Sequence, residues 1–129
     1  MNDQQFIAAF EAAHLNAFDH RAHIRMGWLY LRAQGWAGGT AKIRSGLQHF
    51  AAQAGVPQKY HETITLFWAH LVYHAILQQP DISTFDSFIE AYPHLLDSRL
   101  LSHHYHPATL AAARDKWIEP DLIPLPTVY

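Results

Sequence analysis

The chain has 129 residues, of which 50% are hydrophobic, 16% are charged and none is cysteine, and its formal net charge is −2 with neutral histidines. This composition excludes a disordered chain, a disulfide framework and a thiolate metal site, and the scattered Lys and Arg residues do not favour nucleic acid as a partner. The length predicts one domain over residues 1–129 with a single core.

The distribution of apolar residues along the chain indicates in which cellular compartment the protein is expected. The N-terminal residues have no positively charged segment followed by an apolar stretch, so they do not predict a signal peptide. No apolar run approaches the roughly 20 residues that a membrane span needs. We therefore expect a cytoplasmic protein that has no membrane as a partner.

Apolar side chains recur every three or four residues over 3–34, and this period predicts a long helix. Asn16 and Asp19 are residue types that cap helices, so a break there is the open alternative. Gly35 and the pair at 38–39 predict the end of this helix.

Two further helices are predicted in the middle of the chain. Thr40 is expected to cap a short amphipathic helix over 41–54, which Gly55 then stops. Pro57 suits the first turn of a helix that reaches about residue 78, because proline is favoured at that position.

The last third of the chain predicts shorter elements. Ser83 is expected to cap a short helix that ends at Ala91. We expect a loop over 102–106, and Pro107 is expected to open a last helix over 108–118. The end, 119–129, contains three prolines and is expected to be extended. The prediction is an all-α, single-domain bundle of four main helices plus short ones, with an extended proline-rich C-terminal tail.

The eleven histidines are the chemically informative residues. On a helical wheel, His20 and His23 lie opposite the arc that holds Arg21 and Arg25, so both rings are expected to point into the bundle. In the third helix His61 falls on the apolar side. The pattern predicts that imidazoles from two helices meet inside the molecule.

Such a convergence is typical of metal sites in helical bundles. We predict that His20, His23 and His61 bind a divalent ion, with Fe, Zn and Cu as the candidates, and that Glu62 acts as a ligand or a general base. The protein would then be a small metalloenzyme, an oxidoreductase or a hydrolase, that acts on a small molecule. The alternative is that the buried rings make ordinary structural hydrogen bonds.

The roles of the other histidines stay open at this point. His70 and His74 are four residues apart on a more polar side of the third helix, where they would be solvated or would form an interface. The histidines within 103–106 could form a lid, contribute a further ligand or bind metal adventitiously.

Three segments together resemble a family of uncharacterised small all-helical bacterial proteins. They are FDHRAHIR at 18–25, YHETIT at 60–65 and EPDLIPLP at 119–126, and the resemblance covers most of the chain. It implies a helical fold and carries no activity.

Two other functions compete with the metalloenzyme. The first is a non-enzymatic protein that binds a small ligand or a haem-type group between its helices. The second is a helix-turn-helix regulator, because FAAQAGVPQKYH at 50–61 looks locally like the turn of that motif. The helix that follows is apolar and acidic, which argues against DNA. A homodimer is left open.

Overall fold

The computed structural model describes residues 1–127, which contain helices and no strand, so the all-α class is confirmed. Val128 and Tyr129, the end of the predicted tail, lie outside the described residues. The α-helices in this range are α1 (Asp3–Glu11), α2 (His20–Gln53), α3 (Glu62–Gln78), α4 (Phe85–Ala91), α5 (Leu100–His104) and α6 (Pro107–Ala112), and 3₁₀ turns occupy Pro57–Lys59 and Pro93–Leu96.

The N-terminal region folds as two helices, so the continuous helix predicted over 3–34 is wrong. A capping box begins α1, in which the Asn2 side chain accepts from the Gln5 amide and the Gln5 side chain accepts from the Asn2 amide. After α1 the chain leaves helical geometry until Asp19, whose carboxylate accepts from the amide of Ala22 and caps α2. The alternative break at Asp19 is the one that the structure shows.

The two halves of α2, 20–34 and 36–53, form an antiparallel hairpin that turns at Gly35. This residue has φ 72° and ψ −167°, a conformation that essentially only glycine adopts. A Cβ at Gly39 would lie 2.8 Å from the Cα of Leu31, so the two backbones touch four residues on either side of the turn.

The glycine pair at 38–39 and Thr40 do not separate two elements as predicted. All three residues lie inside the second half of α2, where the Thr40 hydroxyl donates to the carbonyl of Trp36 at 2.6 Å. Gly55, with φ 76°, follows the end of α2 as expected.

Helix α3 packs against the α2 hairpin and forms most of the core with it. It begins at Glu62 rather than at Pro57, which opens the 3₁₀ turn instead, and it ends at Gln78 as predicted. The buried apolar side chains that the hairpin and α3 contribute to this core include Ile24, Met26, Trp28, Leu31, Ile43, Ala69, Val72, Ala75 and Ile76.

The remaining elements differ from the prediction in their boundaries. Thr84, rather than Ser83, caps α4 by accepting from the amide of Ser87. Helix α5 occupies part of the stretch expected to be a loop, and α6 ends at Ala112 instead of reaching residue 118. Residues 113–127 contain no helix.

The segment 113–127 is held against α3 and α5 by specific hydrogen bonds. The hydroxyl of Thr63, which is fully buried, donates to the carbonyl of Lys116 at 2.7 Å and accepts from the amide of Ile118 at 3.1 Å. The amide of Leu122 donates to the carbonyl of His104 at 3.0 Å. These bonds fix the chain beside the N-terminus of α3.

None of the helices within residues 1–127 has the length and apolar content that a membrane crossing requires.

Candidate ligand-binding cavity

A cavity of about 660 Å³ lies between the two halves of the α2 hairpin and α3. Most of its lining side chains are apolar, and both halves of the hairpin and α3 contribute to them. The residues that form its walls include Ile24, Met26, Ile43, Leu47, Ile64 and Val72. The break at Gly35 is what creates this space, because it brings two segments of one helix side by side in front of α3.

All three histidines predicted as ligands line this cavity. His20 and His23 lie on the first turn of α2, and His61 directly precedes α3. Their ring nitrogens are partly engaged in hydrogen bonds with the protein itself. His20 donates from Nε2 to the carbonyl of Leu95 at 2.8 Å, and His23 donates from Nδ1 to the carbonyl of Asp19 at 2.9 Å. Each of these rings therefore keeps one nitrogen for another partner.

The surroundings of His23 favour its neutral form. Its ring stacks on Phe18 with 3.9 Å between the centroids, and the residue lines the cavity while remaining exposed to solvent. Burial by the surrounding protein lowers the pKa of His23 below its usual value of 6.5, and the neighbouring His20 lowers it further. This shift favours the uncharged imidazole at neutral pH.

His61 has no nitrogen left for a ligand, because both are used to hold α3. Nδ1 accepts from the amide of Ile64 at 3.1 Å and caps the helix, and Nε2 donates to the carbonyl of Leu110 in α6 at 2.8 Å. These two bonds make His61 a structural clamp between the start of α3 and α6.

Glu62 lies outside the cavity lining and is buried against other partners. Its carboxylate accepts from the hydroxyl of Tyr60 at 2.6 Å and forms an ion pair with Arg44 at 2.6 Å. Burial, together with the bond to Glu62, raises the pKa of Tyr60 to about 12. The predicted role of Glu62 as a general base required a metal centre beside it. In the structure its carboxylate instead connects α3 to Arg44 of α2 through the ion pair.

The metal-binding function predicted from the sequence is wrong. Within residues 1–127 no three His, Asp or Glu side chains form a group that could hold a metal ion. The physical reason is that both nitrogens of His61 are hydrogen-bonded to backbone groups, and the carboxylate of Glu62 is bonded to Arg44 and Tyr60. The convergence of three imidazoles in one cavity does not bring three free ligand atoms together.

The helix-turn-helix interpretation also fails on geometry. The first residues of a recognition helix must be accessible to base edges. In α3 the first two residues, Glu62 and Thr63, are buried, as is the capping His61. The amide of Glu62 donates to the carbonyl of Arg114, and the hydroxyl of Thr63 donates to that of Lys116.

Several of the remaining histidines hold the C-terminal segment in place. His70 on α3 donates from Nε2 to the carbonyl of Pro126, and His104 donates from Nδ1 to that of Ile123. His106 bonds from Nδ1 to the carboxylate of Asp121 at 2.7 Å. No residue of 103–106 lines the cavity, and among the described residues none of these histidines belongs to a group that could hold a metal ion.

Sequence reasoning missed the aromatic walls of the cavity. Phe18 and Phe50 lie 4.9 Å apart between ring centroids, and Trp68 meets His20 edge to face at 4.5 Å. The sequence pattern places Phe50 in a separate predicted helix, 41–54, and only a hairpin that brings 18–20 close to residue 50 reveals the contact.

No protein-family model, curated protein or solved structure matches this chain. The geometry of the cavity is therefore the basis for assigning a function.

Proposed function

We propose that the cavity between the α2 hairpin and α3 binds a small, largely apolar organic molecule. Its volume of about 660 Å³ falls within the roughly 300–1,000 Å³ that is typical of small-ligand sites. The supporting observation is the composition of the walls, in which aliphatic and aromatic side chains surround a few polar groups, among them His20 and His23. Apolar area supplies affinity in such a site, and a few polar groups orient the ligand.

The free nitrogens of the two histidines support a binding role over a purely structural one. No buried side-chain nitrogen or oxygen within residues 1–127 lacks a hydrogen-bond partner. The second nitrogen of the partly buried His20 has no partner among these residues, so it must be accessible. Because His20 lines the cavity, we expect a bound ligand to use this nitrogen without breaking any bond that holds the fold.

A cavity-filling substitution tests this proposal. Ala51 is half buried on α2 and lines the cavity, whereas its neighbour Ala52 is exposed and does not. We expect the neutral dye Nile red to bind the wild-type protein saturably. Ala51→Phe should weaken that binding at least about tenfold, because the new ring occupies the ligand's volume, and Ala52→Phe should leave it unchanged.

Energy transfer from tryptophan to the dye adds a second measurement. Trp68 lines the cavity, whereas Trp28, Trp36 and Trp117 do not. Bound dye should therefore quench the emission of the wild-type protein more than that of Trp68→Phe. Equal dye affinity in the wild type and Ala51→Phe, with both folded by circular dichroism, would show that the dye binds elsewhere and would overturn the proposal.

A further inference from the structure

The protons on the two cavity histidines are fixed by the backbone. A carbonyl oxygen can only accept a hydrogen bond, so the contacts of His20 Nε2 with Leu95 and of His23 Nδ1 with Asp19 place an N–H on those two nitrogens. In a neutral ring the other nitrogen then carries a lone pair. Both free nitrogens are therefore hydrogen-bond acceptors, and neither can donate while its ring is uncharged.

Charge at the cavity further narrows the class of ligand. No Asp or Glu is among the lining residues that the structure describes, whereas the exposed Lys59 lies at the rim. A cationic ligand would meet a like charge without a counterion. A carboxylate would bring lone pairs towards the lone pairs of His20 and His23. A neutral group that donates a hydrogen bond satisfies one of these nitrogens without such a cost.

The walls around the histidines are flat and aromatic. The ring of His23 is stacked on Phe18, that of Phe18 contacts Phe50, and the ring of His20 meets the edge of Trp68. Aromatic side chains pack favourably against planar rings in stacked or edge-to-face geometry. This surface favours a planar ligand over a flexible aliphatic chain.

We infer that the ligand is a neutral aromatic alcohol, whose hydroxyl group donates a hydrogen bond to the free nitrogen of His23 or His20 while its ring packs against Phe18 and Trp68. The inference rests on the proposed function, since it names the ligand class of the same cavity. It makes the two histidines the residues that determine specificity, because they reject molecules of the same shape that lack a donor.

Three naphthalene derivatives of similar size test this inference by calorimetry at about pH 7.5, above the ordinary histidine pKa. The probes are 2-naphthol, which donates, 2-methoxynaphthalene, which only accepts, and 2-naphthoate, which is an anionic acceptor. We expect 2-naphthol to bind at least about tenfold more tightly than either of the others, because only it satisfies an acceptor nitrogen.

Variants of single histidines locate the effect. In His23→Phe, which keeps a ring to stack on Phe18, and in the double variant with His20→Phe, the preference for 2-naphthol over 2-methoxynaphthalene should fall stepwise towards one. The control is His49→Phe, an exposed histidine on α2 outside the cavity lining, which should keep the wild-type preference.

The outcomes separate the inference from the proposed function. If 2-naphthol and 2-methoxynaphthalene bind the wild type equally and Ala51→Phe weakens both, the cavity binds ligands but the donor inference is wrong. Tighter binding of 2-naphthoate would likewise overturn it, because Lys59 rather than the histidines would then select the ligand. If none of the three probes binds and Nile red fails the cavity test as well, the proposed function itself falls. The comparison of ligands in the wild type requires no variant to fold.

Discussion

His61 shows how a single residue can be placed in the right region by its sequence and still have a different role. The sequence pattern started the third helix at Pro57, so a wheel put His61 on an apolar helical face. The helix starts at Glu62 instead, and His61 becomes its cap, with a backbone amide on one nitrogen and a backbone carbonyl on the other. Histidine is not among the preferred capping residues, so propensity gave no signal for this role.

The cap leads to a prediction about stability. His61→Ala removes the acceptor for the amide of Ile64 and the donor for the carbonyl of Leu110. We expect a loss of about 2 kcal/mol in the free energy of unfolding, roughly half from the cap and half from the second bond. His61→Asn keeps a good capping side chain and should lose only about 1 kcal/mol.

Urea unfolding at neutral pH measures both variants. The ion pair between Arg44 and Glu62 provides a neighbouring reference, because Arg44→Gln disturbs the same end of α3 without touching the cap. Equal losses for His61→Ala and His61→Asn would show that the capping bond contributes nothing.

His20 and His23 show what a helical wheel can predict from the sequence and what it cannot. Both lie within one unbroken helical segment, 20–34, so their phase relative to Arg21 and Arg25 could be computed from the sequence, and both rings line the cavity. The partner of His20 is the carbonyl of Leu95, 75 residues away in the chain. Tertiary contacts of this kind determine which nitrogen is free, and no local pattern encodes them.

At the scale of elements, the turn at Gly35 determines the architecture. Glycines at 35, 38 and 39 all predicted a helix end, yet only Gly35 has a positive φ. Gly39 serves a different purpose, since its missing side chain lets the second half of α2 approach the backbone of the first half. Terminating and close-packing glycines look alike in a sequence, because both functions need only the absence of a Cβ.

The two glycines at 38 and 39 offer a matched pair of substitutions. At Gly39 a Cβ would lie 2.8 Å from the Cα of Leu31, so Gly39→Ala must push the halves of the hairpin apart, at a cost of roughly 1–3 kcal/mol. At Gly38 it would lie 3.0 Å from the Cβ of Gln34, a contact that a shift of a few tenths of an ångström between the two residues relieves. Because alanine also favours a helix by up to about 1 kcal/mol, Gly38→Ala should be close to neutral.

Thermal unfolding of the two variants, followed by circular dichroism, gives the comparison. The hairpin also bounds the cavity, so Gly39→Ala should weaken the binding of Nile red while Gly38→Ala leaves it unchanged. A Gly39→Ala protein as stable as the wild type would mean that the halves of α2 do not pack as closely as the structure has them.

For the whole molecule, the histidines make stability a function of pH. Formal charge is −2 when they are neutral, and their protonation turns the net charge positive. Although His23 is solvent-exposed as a residue, desolvation of its ring by the surrounding protein and the neighbouring His20 lower its pKa below the usual value of 6.5, and Asp19 counters the shift only in part.

The sign of the effect follows from proton binding in the two states. Between the lowered pKa of the folded protein and the value of 6.5 in the unfolded chain, the unfolded state binds more protons at His23 than the native state does. The contribution of His23 to the free energy of unfolding therefore falls as the pH drops from 6.5 through the folded-state pKa, and it is constant above that range.

We expect the difference in stability between His23→Gln and the wild type to shift in favour of the variant as the pH is lowered from about 7.5 to about 5, because glutamine takes up no proton. Urea unfolding at a series of pH values measures this difference. His49→Gln, which replaces an exposed histidine of the same helix, serves as the control and should follow the wild type. Parallel pH profiles for His23→Gln and the wild type would contradict the prediction, and they would mean that His23 is as free to accept a proton in the folded cavity as it is in the unfolded chain.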